Sequence, residues 1–452
     1  MTALILVVFG STEVEAKEPL WSYKTGYEVD AVAISADGEY IAAGAEDHKV
    51  YLFHKDSATP LWEYSAEDDV ESVDISADGE YIVASSDDEK IYLFHKGSGT
   101  PLWSYNVGGC NYFECPISIS ANGEYIVAGS EDHKIYLFDK DSSTPLWNYT
   151  TEGDVMSVDI SADGEYIAAG SSDEIYFFHK DNSTPLWNYT TGDDVYSVDI
   201  SADGEYIAVG GNDERVYLFD KDDGTPLWNY NTLGDVWSVS ISADGEYIVA
   251  TGYRLFLFGK DDSTPLWTYD NIAYPVTIST NGEYIVACTS EESSESQKWI
   301  HFFDKDSNTP LWSYETGNDV DSVAISADGE YIVAGSDGGK VYLFDKTSGI
   351  LGKVSLSLLK ENWMILLILG FGIVSVGGVY WWRQRDTYSP PPSTSRSTTS
   401  SPPRRSAPMF SPFSQLTAIE CPGCNAQMKV PKLGKMQNVT CDECGLSGEI
   451  EI

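Results

Sequence analysis

One segment of about 40 residues is written eight times in this chain. Its Pro-Leu-Trp copies begin at Pro19, Pro60, Pro101, Pro145, Pro185, Pro226, Pro265 and Pro310. In the repeat, a Tyr-Leu-Phe-like strand comes before each Pro-Leu-Trp. The last such strand, Tyr342-Leu343-Phe344, has no Pro-Leu-Trp after it, and Pro19-Leu20-Trp21 has no Tyr-Leu-Phe before it. Each orphan supplies what the other lacks. Head and tail are therefore expected to pair and close the chain into a ring, with Leu20–Tyr23 as the donated strand.

Each repeat parses into four strands. Val-x-Ser-Val-x-Ile alternates and forms strand a; Tyr-Ile-Val-Ala-Gly, nearly all apolar, forms strand b between neighbouring sheets; Lys-Ile-Tyr-Leu-Phe forms strand c. Asp-Gly between a and b signals a two-residue hairpin with positive φ at both central residues. Asp-Lys-Asp-Ser-Ser-Thr-Pro is a turn rich in residues that bond their own backbone. Pro at the head of Leu-Trp-x-Tyr, strand d, is tolerated because that strand lies outermost with one edge unpaired. The fold class is all-β: an eight-bladed β-propeller over residues 17–350, closed by an N-terminal strand.

On these residues a resemblance follows. Ile-Ser-Ala-Asp-Gly-Glu-Tyr…Asp…Ile-Tyr-Leu-Phe-Asp resembles the body of WD-repeat blades, with the b–c turn Asp at Asp47, Asp132, Asp213 and Asp337. Thr-Pro-Leu-Trp-Asn-Tyr-Thr-Thr-Gly is similar to the tryptophan-docking segment of eight-bladed quinoprotein propellers. The Gly-His and Trp-Asp dipeptides of WD repeats are missing. The quinoprotein resemblance implies a dehydrogenase holding pyrroloquinoline quinone and Ca²⁺ in the central channel. It also implies a vicinal disulfide on the cofactor, and no adjacent Cys pair exists here.

Charge narrows the partners. Residues 354–452 carry 9 Lys and Arg against 7 Asp and Glu, so the whole excess of the −44 net charge lies in residues 1–353. A surface of that sign repels nucleic acid and anionic lipid headgroups and favours cations and basic partners. A solvated acidic shell that keeps the protein soluble in salty surroundings is the simpler reading of the same charge.

Outside the repeats, residues 1–16 contain the apolar run Ala3–Phe9 and the small-residue pattern Val14-Glu15-Ala16, and read as a signal peptide without a basic leader. Residues 351–362 are a juxtamembrane segment. Residues 363–382 hold no charge, are long enough to cross a bilayer as one α-helix, and end in Tyr380, Trp381 and Trp382 before Arg383 and Arg385. Those arginines stay inside, which places the propeller outside a cell membrane that the chain spans once. Residues 383–417, rich in Pro, Ser and Arg, form a disordered linker.

Residues 418–452 read as a zinc ribbon. Cys421-Pro-Gly-Cys424 and Cys441-Asp-Glu-Cys444 each put two sulfurs on one tight turn, and two turns complete a tetrahedron around a structural Zn²⁺. Met428–Val430 and Asn438–Thr440 are its expected strands. Inside the cell this ribbon would dock a cytoplasmic protein partner. In the ring, Cys110 and Cys115 are spaced for a short-loop disulfide in an oxidising exterior, and Cys288 for a buried thiol. The Asp-x-Asp-Ser turns, such as Asp139-x-Asp141, share part of a calcium-loop pattern. They lack its Gly and distal Glu, so Ca²⁺ is unsupported.

Binding residues are sought where near-identical copies disagree. Five places before the Ser of Ser-Ala-Asp-Gly stand Asp30, Glu71, Cys115, Met156, Tyr196, Trp237, Tyr274 and Asp321. Blades five to seven give an aromatic arc of Tyr196, Trp237 and Tyr274; blades eight, one and two give an acidic arc of Asp321, Asp30 and Glu71. Two residues earlier six blades carry a carboxylate: Glu28, Asp69, Asp154, Asp194, Asp235 and Asp319. These residues are expected at the channel mouth, as a funnel for a cationic, partly apolar ligand such as a basic peptide, an amine or a divalent cation. Turn capping in a solvated mouth is the competing explanation. The six His residues show no spacing that suggests a triad or catalytic metal cluster. The sequence thus points to a non-enzymatic, membrane-anchored binding scaffold or sensor. The quinoprotein dehydrogenase and a structural envelope-assembly component are the alternatives.

Overall fold

A computed structural model describes residues 17–110, 115–270, 274–289 and 298–347, together with the backbone of four strands between 416 and 451. Within the repeats it contains eight four-stranded antiparallel sheets. Blade one runs Ala31–Ile34, Tyr40–Ala45, Lys49–His54 and Ser57–Ser65 as strands a to d. The same order recurs through blade seven, which ends in Trp312–Glu315. Blade eight takes Val320–Ile325, Tyr331–Ser336 and Lys340–Asp345 from the end of the array, and Trp21–Lys24 from its beginning. Trp21 pairs with Leu343 and Lys24 with Lys340, so the donated strand starts one residue later than Leu20.

The hairpin between strands a and b departs from expectation. Gly38 takes φ 71°, but Asp37 does not have positive φ. Gly38 N–H donates to Ser35 O (2.8 Å), and Ser35 N–H to Tyr40 O (3.0 Å). The connection is thus a four-residue loop built on a turn from Ser35 to Gly38, rather than a two-residue hairpin. Asp37 Oδ1 accepts from the Ser35 hydroxyl (2.7 Å) and from Glu39 N–H (2.9 Å), and these side-chain bonds remove the need for a second positive φ.

The same motif joins the blades. A Cβ on Gly79 of blade two would lie 2.6 Å from Tyr40 Cδ2 of blade one, so Gly is required there for close approach as well as for its φ of 68°. Lys96 Nζ sits 4.6 Å above the same Tyr40 ring, and Lys96 O accepts the Trp62 indole N–H at 2.9 Å. Gly, Tyr, Lys and Trp of the consensus are therefore one docking unit between neighbours. Seven indoles make the equivalent bond at 2.6–3.1 Å. Between blades one and two, Ala42, Leu52, Val73, Ile82 and Phe94 merge into one buried cluster. Backbone bonds between successive a–b hairpins then run round one end of the channel, among them Ala36 to Ala77, Ala77 to Ala121, and Ala327 back to Ala36, each 3.0 Å. That last bond closes the circle.

The chain divides into two compact units, the second beginning at Leu367. In the second, Leu416–Glu420 pairs with Gln427–Pro431, and Met436–Thr440 with Ser447–Glu451, each pair antiparallel. The four ribbon cysteines, the signal segment 1–16 and the span 363–382 lie outside the described residues. Among the described residues no helix is long and apolar enough to cross a membrane.

Candidate functional site

Loops d–a and turns b–c lie at one end of the channel, called here the upper mouth. In its acidic sector, carboxylate oxygens of Glu28, Asp30 and Glu46 approach within 4.8 Å of one another, and so do those of Asp69, Glu71 and Asp87. His48 Nδ1 stands 2.9 Å from Asp69. Burial, then Glu28, Asp69 and Asp337, raise the pKa of Glu46; burial, then Asp68 and Asp69, push Asp87 up to about 6. Asp321 is pushed up to about 8 by burial, by a hydrogen bond with Asp337, and by the field of Asp337, Asp30 and Asp319. Carboxyls this crowded hold protons at neutral pH or attract cations. Asp319 is paired with Lys298, and Asp154 lies 3.1 Å from His133.

The aromatic sector is equally concrete. Tyr196 and Trp237 stack with centroids 4.8 Å apart and planes 2° from parallel. Trp237 remains 45% exposed and Tyr274 38%. Burial, then the field of Asp194, Asp235 and Asp193, raises the Tyr196 phenol pKa. Copy comparison missed Leu233 and Tyr253, which are 84% and 77% exposed on blade six. Leu233 stands three residues after the strand-d Tyr, where four other blades carry Gly, and that contrast was the available signal.

Cys110 and Cys115 are disulfide-bonded, with Cα atoms 5.3 Å apart; Cys288 is a buried thiol whose pKa burial raises.

A second feature lies deeper in the channel. Asp74, Asp159 and Asp199, the residue before the last Ile of strand a, line a cavity of ≈ 360 Å³ with Ser118 and Ser240. Each carboxylate joins its blade to a neighbour: Asp74 accepts from Ile119 N–H, Asp159 from Ile200 N–H and Asp199 from Ile241 N–H, all at 2.8 Å. The Ser118 hydroxyl is shared between Asp74 (3.2 Å) and Asp159 (3.0 Å). All three are half-buried in the cavity wall, and burial raises their pKa values, Asp74 to about 6. The Asp199 carboxyl, after burial, raises Asp159 further, so the two carboxyls oppose each other's ionisation.

Fold and site define an eight-bladed propeller of WD-like blades with a polar, acidic channel. Comparison with known proteins agrees. Residues 12–162 match the model of the outer membrane protein assembly factor BamB, residues 126–256 a family of unknown function, and residues 308–345 the WD domain, G-beta repeat. No curated protein matches the chain. Among solved structures it is similar to Chaetomium thermophilum Sqt1 bound to the N-terminus of the ribosomal protein L10. The identity is 17% and the TM-score 0.61, over 73% of this chain and 100% of that one. Sqt1 alone gives the same identity and TM-score over 74% and 98%.

Proposed function

We propose that the propeller is a non-enzymatic binding scaffold whose upper mouth takes a cationic, partly apolar ligand, foremost a basic segment of a protein. One observation carries the reading: the crowded carboxylates of Glu28, Asp30, Asp69, Glu71 and Asp321 and the exposed Tyr196–Trp237 stack occupy loops of the same end of one channel. Both attract cations. The Sqt1 structure gives a fold-level parallel, a propeller holding the N-terminus of another protein. The match of residues 12–162 to an assembly factor favours an envelope-assembly role, which also rests on protein binding.

The test is fluorescence anisotropy of a labelled hexa-lysine peptide against the purified chain. Asp30→Asn with Glu71→Gln should weaken binding about tenfold, the scale of one to two lost charge contacts. Equal affinity would remove the mouth from the argument. The dehydrogenase alternative requires dye reduction dependent on added quinone and Ca²⁺.

The remaining parts of the proposal follow the sequence. Residues 363–382 anchor the chain in a cell membrane with the propeller outside, and residues 418–452 form a cytoplasmic ribbon that docks a protein partner. Each Cys-x-x-Cys falls between two paired strands, and four thiolates suit a closed tetrahedral site, so Cys421, Cys424, Cys441 and Cys444 fit a structural Zn²⁺. Elemental analysis should find one zinc per chain, lost in Cys421→Ser with Cys441→Ser; zinc retained by that variant would refute the assignment.

A further inference from the structure

We infer that the top of blade six is an anchor for an arginine-bearing, apolar protein segment, with Leu233, Trp237 and Tyr253 as its contact residues. The inference rests on the mouth being a binding surface and names what the surface selects.

Leu233 is the first observation. It holds φ 64°, in a region that bulky side chains avoid, while 84% of it faces solvent. At the equivalent place blades three and eight use Gly108 (φ 69°) and Gly317 (φ 77°). The loop is not loose: Leu233 N–H donates to Asn231 Oδ1 (3.0 Å), and the Thr232 hydroxyl bonds Glu214 O (2.9 Å) and Gly234 O (2.6 Å). A strained backbone thus fixes an aliphatic side chain in water, where neither its conformation nor its exposure helps folding.

Its neighbours extend the surface. A Cβ on Gly234 would lie 2.5 Å from Tyr253 Cδ2, so the Tyr253 ring rests against the loop with 77% of the residue exposed. One face of the Trp237 indole is covered by Tyr196 and the residue is still 45% exposed. Elsewhere among the described residues, large exposed apolar groups are chiefly the single Leu of each outer strand. Fixed aromatic and aliphatic side chains set close together are the usual centre of a protein-binding hot spot.

Charge chooses the occupant. Asp194 and Asp235 stand two residues before Tyr196 and Trp237 on the same loops, the field of Asp194, Asp235 and Asp193 reaches the Tyr196 phenol, and the adjacent Arg254 is already bound to Asp270 at 2.9 Å. A second copy of this acidic ring would meet its own sign. An indole edged by carboxylates favours a planar guanidinium, which stacks and pairs at once, over an ammonium.

The experiment uses the full chain and two labelled peptides, an alternating Arg-Leu hexamer and hexa-lysine, read by anisotropy. Leu233→Gly is the decisive variant, because Gly accepts the loop's φ without strain and should leave Tm unchanged or higher. It should weaken the Arg-Leu peptide about tenfold and hexa-lysine less than twofold, whereas Trp237→Ala, which also removes the cation-attracting stack, should weaken both. Equal Arg-Leu affinity in Leu233→Gly overturns the anchor. Binding of hexa-lysine alone also overturns it and leaves the mouth reading standing. Binding of neither peptide to the parent chain ends both. Self-association of the parent that is abolished by Leu233→Gly would make the occupant a second copy and refute the arginine-bearing partner.

Discussion

A chain that begins after Lys24 is expected to lose the single cooperative melting transition of the propeller, or to melt at least 15 °C lower. The deletion removes the fourth strand of blade eight, exposing the edge of Lys340–Asp345 along the register from Trp21–Leu343 to Lys24–Lys340. It also removes the Trp21 indole bond to Lys55 O (2.7 Å) and the packing of Trp21 and Tyr23 on Phe53. A third loss lies one junction back. Lys17, 2% exposed, is bonded to Asp345 at 2.7 Å and sits 5.5 Å from the Trp312 ring centre. Among the described residues Trp312 Nε1 has no acceptor, whereas seven other indoles bond across their junctions, so Lys17 takes the place of the usual docking bond there. Two half-buried aromatics at about 1–2 kcal/mol each, an indole hydrogen bond at about 1, and the loss of the Lys17–Asp345 pair at about 1–2 approach the lower end of the stability of a typical domain. Leu20→Ser is the control: that side chain is half exposed and should shift Tm by less than 2 °C. Scanning calorimetry of both settles the question, and an unchanged transition in the truncated chain would mean that closure contributes nothing.

Closure was legible because an offset repeat leaves a visible surplus at each end, and strand pairing needs no coordinates to be counted. Blade boundaries were legible for the same reason, through Pro-Leu-Trp and Asp-Gly. Local geometry was less so. Asp37 and Gly38 read as a two-residue hairpin, yet the Ser35 and Asp37 side chains supply bonds that allow a longer loop, a choice that depends on two oxygens at 2.7 Å. Mouth residues were found where copies disagree, but Asp74, Asp159 and Asp199 escaped. Their position reads Ala33, Asp74, Ser118, Asp159, Asp199, Ser240, Thr277 and Ala324 around the ring, an ordinary polar alternation until the strands are wrapped round one axis. Leu233 escaped for a different reason: a backbone angle turned an ordinary loop leucine into a presented one.

Asp159→Asn is expected to raise Tm by about 3 °C at pH 7.5 and to leave it nearly unchanged at pH 5. In the unfolded chain Asp carboxyls titrate near 4. In the ring, burial and the Asp199 carboxyl hold Asp159 well above that, Asp74 rises to about 6, and outside the channel Asp87 and Asp321 rise to about 6 and about 8. Between pH 4 and these values the folded chain binds more protons than the unfolded one. Stability must therefore fall as pH rises through the window, the reverse of the usual paired carboxylate. His301, held down to about 4 by burial, acts oppositely below pH 6.5, but one imidazole is outweighed by the raised carboxyls, so the parent Tm should peak below about pH 5 rather than at neutrality. Among the described residues, no Lys, Arg or His lines the channel cavity to relieve the Asp74–Asp159–Asp199 group. An amide at position 159 still accepts from Ile200 N–H and removes one of the opposing charges. A single-site change on the order of 2 kcal/mol, within the usual range for point mutations, corresponds to about 3 °C for a ring of roughly 330 residues. Salt separates this from the surface: 1 M KCl should raise the Tm of both proteins by screening the acidic exterior, while the difference between them persists because ions screen buried pairs weakly. A lower Tm for Asp159→Asn at pH 7.5, or a parent Tm that climbs steadily from pH 5 to 8, would show that the channel carboxylates stabilise the ring as ordinary ionised groups.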